Sequence, residues 1–254
     1  MSKLEALIFD VDGTLSDTER DGHRIAFNRA FADARLDWDW GVELYGDLLS
    51  VTGGKERLTY YLERYRPDFQ PPKPIAEFVA DLHAAKTKHY LDILAEHGIP
   101  LRPGVERLLT EARATGLRLA IATTTTPANV TALLESVLPG KLDWFEVIGA
   151  GEMAPTKKPA PDIYRYVLNE LRLDPDRCLA FEDSELGLRS SLGAGVKTIV
   201  TVSPYTTGQD FTGAALVVDN LGEPAQPNHA LAGSSFGSTY VDVGLLCKLF
   251  ESEE

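Results

Sequence analysis

Six short apolar runs punctuate the chain, each ending in polar or turn-forming residues. They are ALIFDV (6–11), LRLAIAT (117–123), FEVIGAG (145–151), RCLAFED (177–183), KTIVTVS (197–203) and ALVVDN (215–220). None alternates apolar with polar positions, which is how strands buried on both faces read. Stretches of helical character lie between them, at about 103–115, 127–138, 159–171 and 184–194. This repetition of strand and helix predicts an α/β fold: a Rossmann-like parallel sheet with crossover helices. Ligands of such sheets bind beyond the carboxyl ends of the strands. The polar residues that close the runs are therefore the candidate chemistry.

Residues 16–92 break that rhythm. They read as helices near 19–35, 54–65 and 75–97, with the Pro-rich QPPKP (70–74) as an internal loop. The expectation is a helical cap, 16–92, inserted into a core made of 1–15 and 93–254, and usable as a lid over the strand ends. Residues 221–240 are rich in Gly, Pro, Ser and Asn and read as a loop. A short helix near 241–251 closes the chain.

Composition narrows the function. The 254 residues carry a formal net charge of −13, which repels nucleic acid and anionic membranes. It also repels phosphorylated metabolites at long range, so such a substrate needs a local cationic site. Two cysteines far apart, Cys178 and Cys247, argue against a disulfide framework and fit a reducing compartment. The short apolar run at the N-terminus leads straight into acidic residues, so no signal peptide is expected. No apolar run is long enough to span a bilayer. The expected location is the cytoplasm, or the plastid stroma for a matured organelle protein. The oligomeric state is open, and a monomer is compatible with everything above.

The first run ends in Asp10-Val11-Asp12-Gly13-Thr14. Side chains two apart in a strand share a face, so two carboxylates project together beside a glycine that lets the chain turn. One can attack phosphorus while the other moves the proton. A lone Asp-x-Asp is more often a solvated turn; the full D-x-D-G-T after an apolar strand is far more specific. Glu182 and Asp183 end a second strand and suit Mg2+, although Asp183 or Ser184 could equally cap the next helix. Thr123 and Thr124 could hold phosphate oxygens at a helix N-terminus, or Thr123–Thr126 could be cap chemistry alone. Lys158, held extended by Pro159, could stabilise phosphoryl charge; its neighbour Lys157 reads as solvated.

These four pieces, in this order, resemble the haloacid dehalogenase superfamily of phosphohydrolases over residues 4 to about 203. The resemblance implies a Rossmann-like core with a helical cap after the first motif. It implies that Asp10 is the nucleophile, forming an aspartyl-phosphate, and that Asp12 is the general acid and base. Mg2+ would be held by Asp10, the main-chain carbonyl of Asp12, and Asp183, with Glu182 close by. Thr123 and Lys158 would bind the transferring phosphoryl group. Acidic neighbours are expected to favour protonated Asp12, with Mg2+ opposing them.

SDTERDGHRIAFN (16–28) and TGGKERL (52–58) resemble the CbbY-like branch of that superfamily, which dephosphorylates xylulose-1,5-bisphosphate in carbon-fixing organisms. On this resemblance the substrate is a small phosphorylated metabolite, a pentulose bisphosphate. Gly53 and Gly54 would permit close approach, and Lys55 and Arg57 would meet a second phosphate. Glu19, His23 and Arg24 would contact hydroxyls. On spacing alone, K-E-R after two glycines is also an ordinary solvated helix start. Rival readings are a sugar phosphomutase resembling β-phosphoglucomutase, a phosphatase for 2-phosphoglycolate or another monophosphate, and an acidic binding module without turnover.

Overall fold

Strand β1 (Ala6–Phe9) has all four residues buried, and it pairs on both sides. That full burial explains its unbroken apolar run. In this computed structural model, which describes residues 3–252, the sheet has seven strands in the order β3-β2-β1-β4-β5-β6-β7. They are β2 (Arg118–Ala122), β3 (Phe145–Gly149), β4 (Cys178–Glu182), β5 (Lys197–Thr201), β6 (Leu216–Val218) and β7 (Ala230–Gly233). The first six are parallel, as the apolar runs predict, and β7 joins β6 antiparallel.

Alternation along β1 divides the core. Leu7 and Phe9 belong to one cluster with residues of α5 (Val105–Ala114), α6 (Pro127–Val137) and α9 (Val243–Glu251). Ala6 and Ile8 belong to another, with α7 (Asp162–Leu171). The second face is lined by Ala6, Ala120, Ala122 and Ala180, whose small side chains let α7 lie close. Helix α8 (Glu185–Gly193) packs Leu188 against Val200 and Val217.

Between β1 and α5 come α1 (Arg24–Asp33), α2 (Val42–Leu48), α3 (Gly54–Tyr65) and α4 (Ile75–His97). These helices bury an aromatic cluster of their own: Phe27, Phe31, Trp38, Trp40, Tyr45, Tyr61 and Phe78 among others. Helix α4 serves two clusters. Its Phe78, Val79 and Leu82 join the aromatic group, while Tyr90, Ile93 and Leu94 join the sheet.

Four expectations need correction. Residues 221–240 include strand β7, whose ALAG sequence has little strand character and is held by its ladder to β6. The helix expected from 19 begins with a wide turn, Glu19–His23, before α1. Gly22 lies in that turn, and a Cβ there would sit 2.7 Å from Tyr90 and Ile99. Helix α7 starts at Asp162, because Pro159 and Pro161 each remove a donor and disfavour helix just before them. Helix α2 was not expected at all.

Candidate active site

The polar ends of β1 and β4 meet. Asp10, Glu182 and Asp183 are buried, and each offers an oxygen within 4.8 Å of the others. Lys158 reaches into this group from the segment before α7. Its Nζ donates to Asp10 Oδ1 at 2.6 Å and to Glu182 Oε1 at 2.6 Å. Tyr164 on α7 also donates to Glu182 Oε1, at 2.6 Å. Glu182 Oε2 is buried with no partner. One ammonium therefore bridges two of the three carboxylates, Asp10 and Glu182. Burial raises Asp10 well above the usual carboxylate range; Lys158 opposes this, while Glu182, Asp183 and Asp12 add to it. Burial and then Glu182 raise Asp183 to about 7, against the pull of Ser203, Arg102 and Lys158.

Two glycines make room for the carboxylates. At Gly13, with φ of +89°, a Cβ would stand 2.1 Å from Asp183 Oδ2. At Gly187, in the first turn of α8, it would stand 1.8 Å from Glu182 Oε2. The cap of α8 is Ser184, which accepts from Gly187 N at 3.2 Å and leaves the Asp183 carboxylate free of that duty.

The Asp12 carboxylate lies outside the three-carboxylate group. Its Oδ1 accepts from Thr18 at 2.5 Å and stands 3.0 Å from His23 Nε2. His23 Nδ1 in turn lies 2.9 Å from Nζ of buried Lys86 on α4. His23 thus stands between the Lys86 ammonium and the Asp12 carboxylate, with one ring nitrogen within hydrogen-bond distance of each. Burial alone would raise Asp12, but His23, Thr18 and Lys86 outweigh it and hold Asp12 at about 2. The balance that the sequence leaves to geometry falls on the ionised side, because the neighbours that touch Asp12 are donors.

Thr123 follows β2, buried, its main-chain N–H donating to Gly149 O at 3.0 Å. Its Oγ1 accepts from Thr125 N at 3.2 Å. Cap duty for α6 falls to Thr126, which accepts from Asn129 N. Thr123 and Thr124 both line the central cavity.

That cavity, of about 900 Å³, lies between the strand ends and the helices α1, α3 and α4. Glu19, His23, Gly53, Gly54, Lys55 and Arg57 all line it, and Arg24 does not. Arg24 reaches the Trp40 carbonyl at 3.5 Å instead. Arg57 is buried, 2.8 Å from Tyr45 Oη and 3.5 Å from Glu19 Oε2. Lys55 is half exposed and pairs with Glu152 at 3.3 Å. Lys157 is not simply solvated: it pairs with Glu56 of α3 at 2.6 Å and lines the cavity. His83 on α4 is pushed down to about 4 by burial and by Lys86, Lys55 and Lys157.

Sequence reasoning missed Lys86, His83 and Tyr164. Lys86 did carry a signal: it stands four residues after Leu82 and four before Tyr90, on the buried face of α4.

A model of haloacid dehalogenase-like hydrolases matches residues 4–195. The chain belongs to that family. It is 48% identical over 227 residues to the plasmid protein CbbY of Cupriavidus necator, covering 88% of each chain. It is 49% identical over 224 residues to protein CbbY of Rhodobacter capsulatus, covering 88% of this chain and 96% of that one. Among solved structures, a CbbY variant from Rhodobacter sphaeroides in complex with xylulose-1,5-bisphosphate matches with a TM-score of 0.80 at 45% identity. That match covers 87% of this chain and 98% of the other. The resemblance carried by DVDGT, Thr123, Lys158 and Glu182-Asp183 is borne out at family level, and the chain is an enzyme of the phosphatase type. No helix among the described residues is long and apolar enough to cross a membrane.

Proposed function

We propose that this haloacid dehalogenase-like enzyme is a Mg2+-dependent phosphatase that converts xylulose-1,5-bisphosphate to xylulose 5-phosphate, with Asp10 as nucleophile. The observation that carries the reading is the buried group of Asp10, Glu182 and Asp183 around Lys158, opening on a cavity that α3 and α4 line with Lys55, Arg57 and Lys86. In this reading residues 16–92 are the cap, and 1–15 with 93–254 are the core.

The donor set fits a hard divalent cation. Of three buried carboxylates, two share one ammonium, and Glu182 Oε2 lacks a partner. Asp10, Asp183 and the main-chain carbonyl of Asp12 would hold Mg2+, with Glu182 close by. When bound it supplies the positive charge that lets an anionic phosphoryl group approach carboxylates.

The protein's own groups then divide the work. An Asp10 carboxylate oxygen attacks phosphorus, forming an aspartyl-phosphate as the phosphorus–oxygen bond to the sugar breaks. Asp12 gives its proton to the leaving sugar oxygen. In the second step Asp12 takes a proton from water, whose oxygen attacks phosphorus and releases phosphate, restoring Asp10. Asp12 as found is ionised, ready for the second step. A substrate phosphate dianion beside it raises its proton affinity and favours the acid form for the first. Lys158 steadies Asp10 and the phosphoryl charge; Thr123 and the main-chain N–H groups before α6 donate to phosphoryl oxygens.

The test is kcat/KM with Mg2+ for xylulose-1,5-bisphosphate against 2-phosphoglycolate and a sugar monophosphate. A second engaged phosphate is worth about tenfold or more. Equal values would withdraw the bisphosphate and leave a general phosphatase. Transfer of phosphate to sugar instead of water would make the enzyme a mutase.

A further inference from the structure

The chain returns from α4 to the sheet through residues 98–104, and Arg102 in that segment is buried. Outgoing and returning segments run side by side: Ser16 bridges Leu101, and Arg102 N donates to Leu15 O at 2.8 Å. The Arg102 guanidinium then spreads over three strand ends. Nη1 donates to Gly13 O, and to Thr201 O and Oγ1 at 2.9 and 3.0 Å. Nη2 donates to Val202 O at 2.6 Å and to Asp219 O at 2.8 Å. Nε stands 3.5 Å from Asp17 Oδ1.

Gly13 is thereby held from three directions. Its N–H donates to Ser16 O at 2.8 Å, its carbonyl accepts from Arg102, and its Cα lies against the Asp183 carboxylate. Gly13 follows Asp12 directly, so any drift of Gly13 also moves the Asp12 carbonyl relative to Asp183.

We propose that Arg102 is a positioning residue: by clamping the Gly13 carbonyl to the ends of β5 and β6, it keeps the Asp10–Gly13 turn in register with Asp183 and so sets the cation site. The inference rests on the Mg2+-phosphatase reading above. The planar fork spreads five N–H donors over three nitrogens and so spans acceptors on three segments; a lysine offers its three donors from a single atom. Arg107 is a built-in comparator. It donates to Gly222 O at 2.7 Å, Val241 O at 3.0 Å and Glu223 at 3.0 Å, none of them in the site.

The experiment compares Arg102→Lys, Thr201→Val and Arg107→Lys with the parent, all as the full chain. Mg2+ affinity is read by titration calorimetry without substrate, alongside kcat, KM and Tm. Arg102→Lys is expected to weaken Mg2+ binding and lower kcat by about tenfold or more, the range for outer partners of metal ligands. KM should move less than kcat. Thr201→Val, which removes one acceptor, should shift Mg2+ affinity in the same direction by a few-fold and keeps the test alive if Arg102→Lys does not fold. Arg107→Lys should lower Tm while leaving Mg2+ affinity and kcat at the parent's values. Parent-like Mg2+ binding and kcat in folded Arg102→Lys overturn the inference, and so do equal losses in Arg107→Lys. A parent that binds no Mg2+ overturns this inference and the metal reading together. A parent that binds Mg2+ but releases no phosphate, with the calorimetric split intact, removes the substrate reading and supports the role of Arg102.

Discussion

A Cβ on Gly187 would stand 1.8 Å from Glu182 Oε2. Glu182 has nowhere to retreat: it is fully buried, and Lys158 and Tyr164 hold its other oxygen. Gly187→Ala should therefore push Glu182 away from Asp10 and Asp183, with α8 still able to form. Activity should fall by about ten- to a hundredfold, with a raised Mg2+ requirement. Parent-like kinetics in that variant would mean that the placement of Glu182 does not matter to the reaction.

Asp10→Asn should abolish phosphate release, by several orders of magnitude, because an amide is neither nucleophile nor charged metal ligand. The amide is nearly isosteric and can still accept from Lys158. Circular dichroism should match the parent. Near-normal turnover by the folded variant would remove Asp10 from the mechanism.

The pH dependence of stability has a definite sign. Asp183 is raised from 3.8 to about 7. Between those values the folded chain holds a proton on Asp183 that the unfolded chain has released, so this group's contribution to metal-free stability falls as pH rises from about 4 to about 7. Asp10 is raised and acts in the same sense. Asp12 is lowered, so its contribution is present above 3.8 and is lost as pH falls toward 2, outside this window. His83 is lowered from 6.5 to about 4 and acts in the opposite sense between those values, offsetting Asp183 there. In chelator, Tm should therefore decline between about pH 6.5 and 7.5. Mg2+ binds the ionised carboxylates, so the Tm gain on adding it should grow over the same interval. A metal-independent, flat Tm profile would show Asp183 ionised throughout.

Lys55 and Arg57 should part company. Lys55 is exposed, and its pair with Glu152 is worth little to stability. Lys55→Ala should leave Tm unchanged and raise KM for the bisphosphate by about tenfold, sparing a monophosphate. Arg57 is buried against Glu19 and Tyr45. Arg57→Ala leaves the buried Tyr45 hydroxyl and the part-buried Glu19 carboxylate without their cation, costs about 2 kcal/mol and should impair both substrates along with Tm. Equal kinetic losses in the two variants would undo this division.

Lys86→Met keeps the apolar stem and removes the ammonium behind His23. Lys86 helps to hold Asp12 low, so its loss raises Asp12. Asp12 must be ionised to act as base, and the acid limb of the kcat–pH profile should therefore move to higher pH. An unmoved limb would show that the Lys86–His23 contact does not reach Asp12 during turnover.

The sheet was legible because its strands are buried on both faces, and burial writes continuous apolar runs such as ALIF and CLAF. Asp10, Glu182 and Asp183 were legible because they sit where those runs stop. Strand β7 was not, since ALAG owes its conformation to pairing with β6. The Lys86–His23–Asp12 chain joins residues 63 and 11 apart in sequence, and only packing of α4 on the turn before α1 brings them together. The buried pairing of Arg57 was hidden for the same reason: its partners lie on other elements, and K-E-R reads as a solvated turn until Tyr45 and Glu19 close over it.

Helix α4 joins the two hydrophobic clusters along one rigid axis. Its Leu94 end is anchored among the sheet residues, and its Phe78 end is embedded in the aromatic cluster. At 1.5 Å of rise per residue, Lys86 lies about 12 Å from Leu94 and Phe78 about 24 Å. A tilt pivoting near Leu94 therefore moves Lys86 only half as far as it moves Phe78. Were the cap to open about that end, the contact behind Asp12 would travel half as far as the mouth, so opening would loosen the Lys86–His23 link as it widens the cavity.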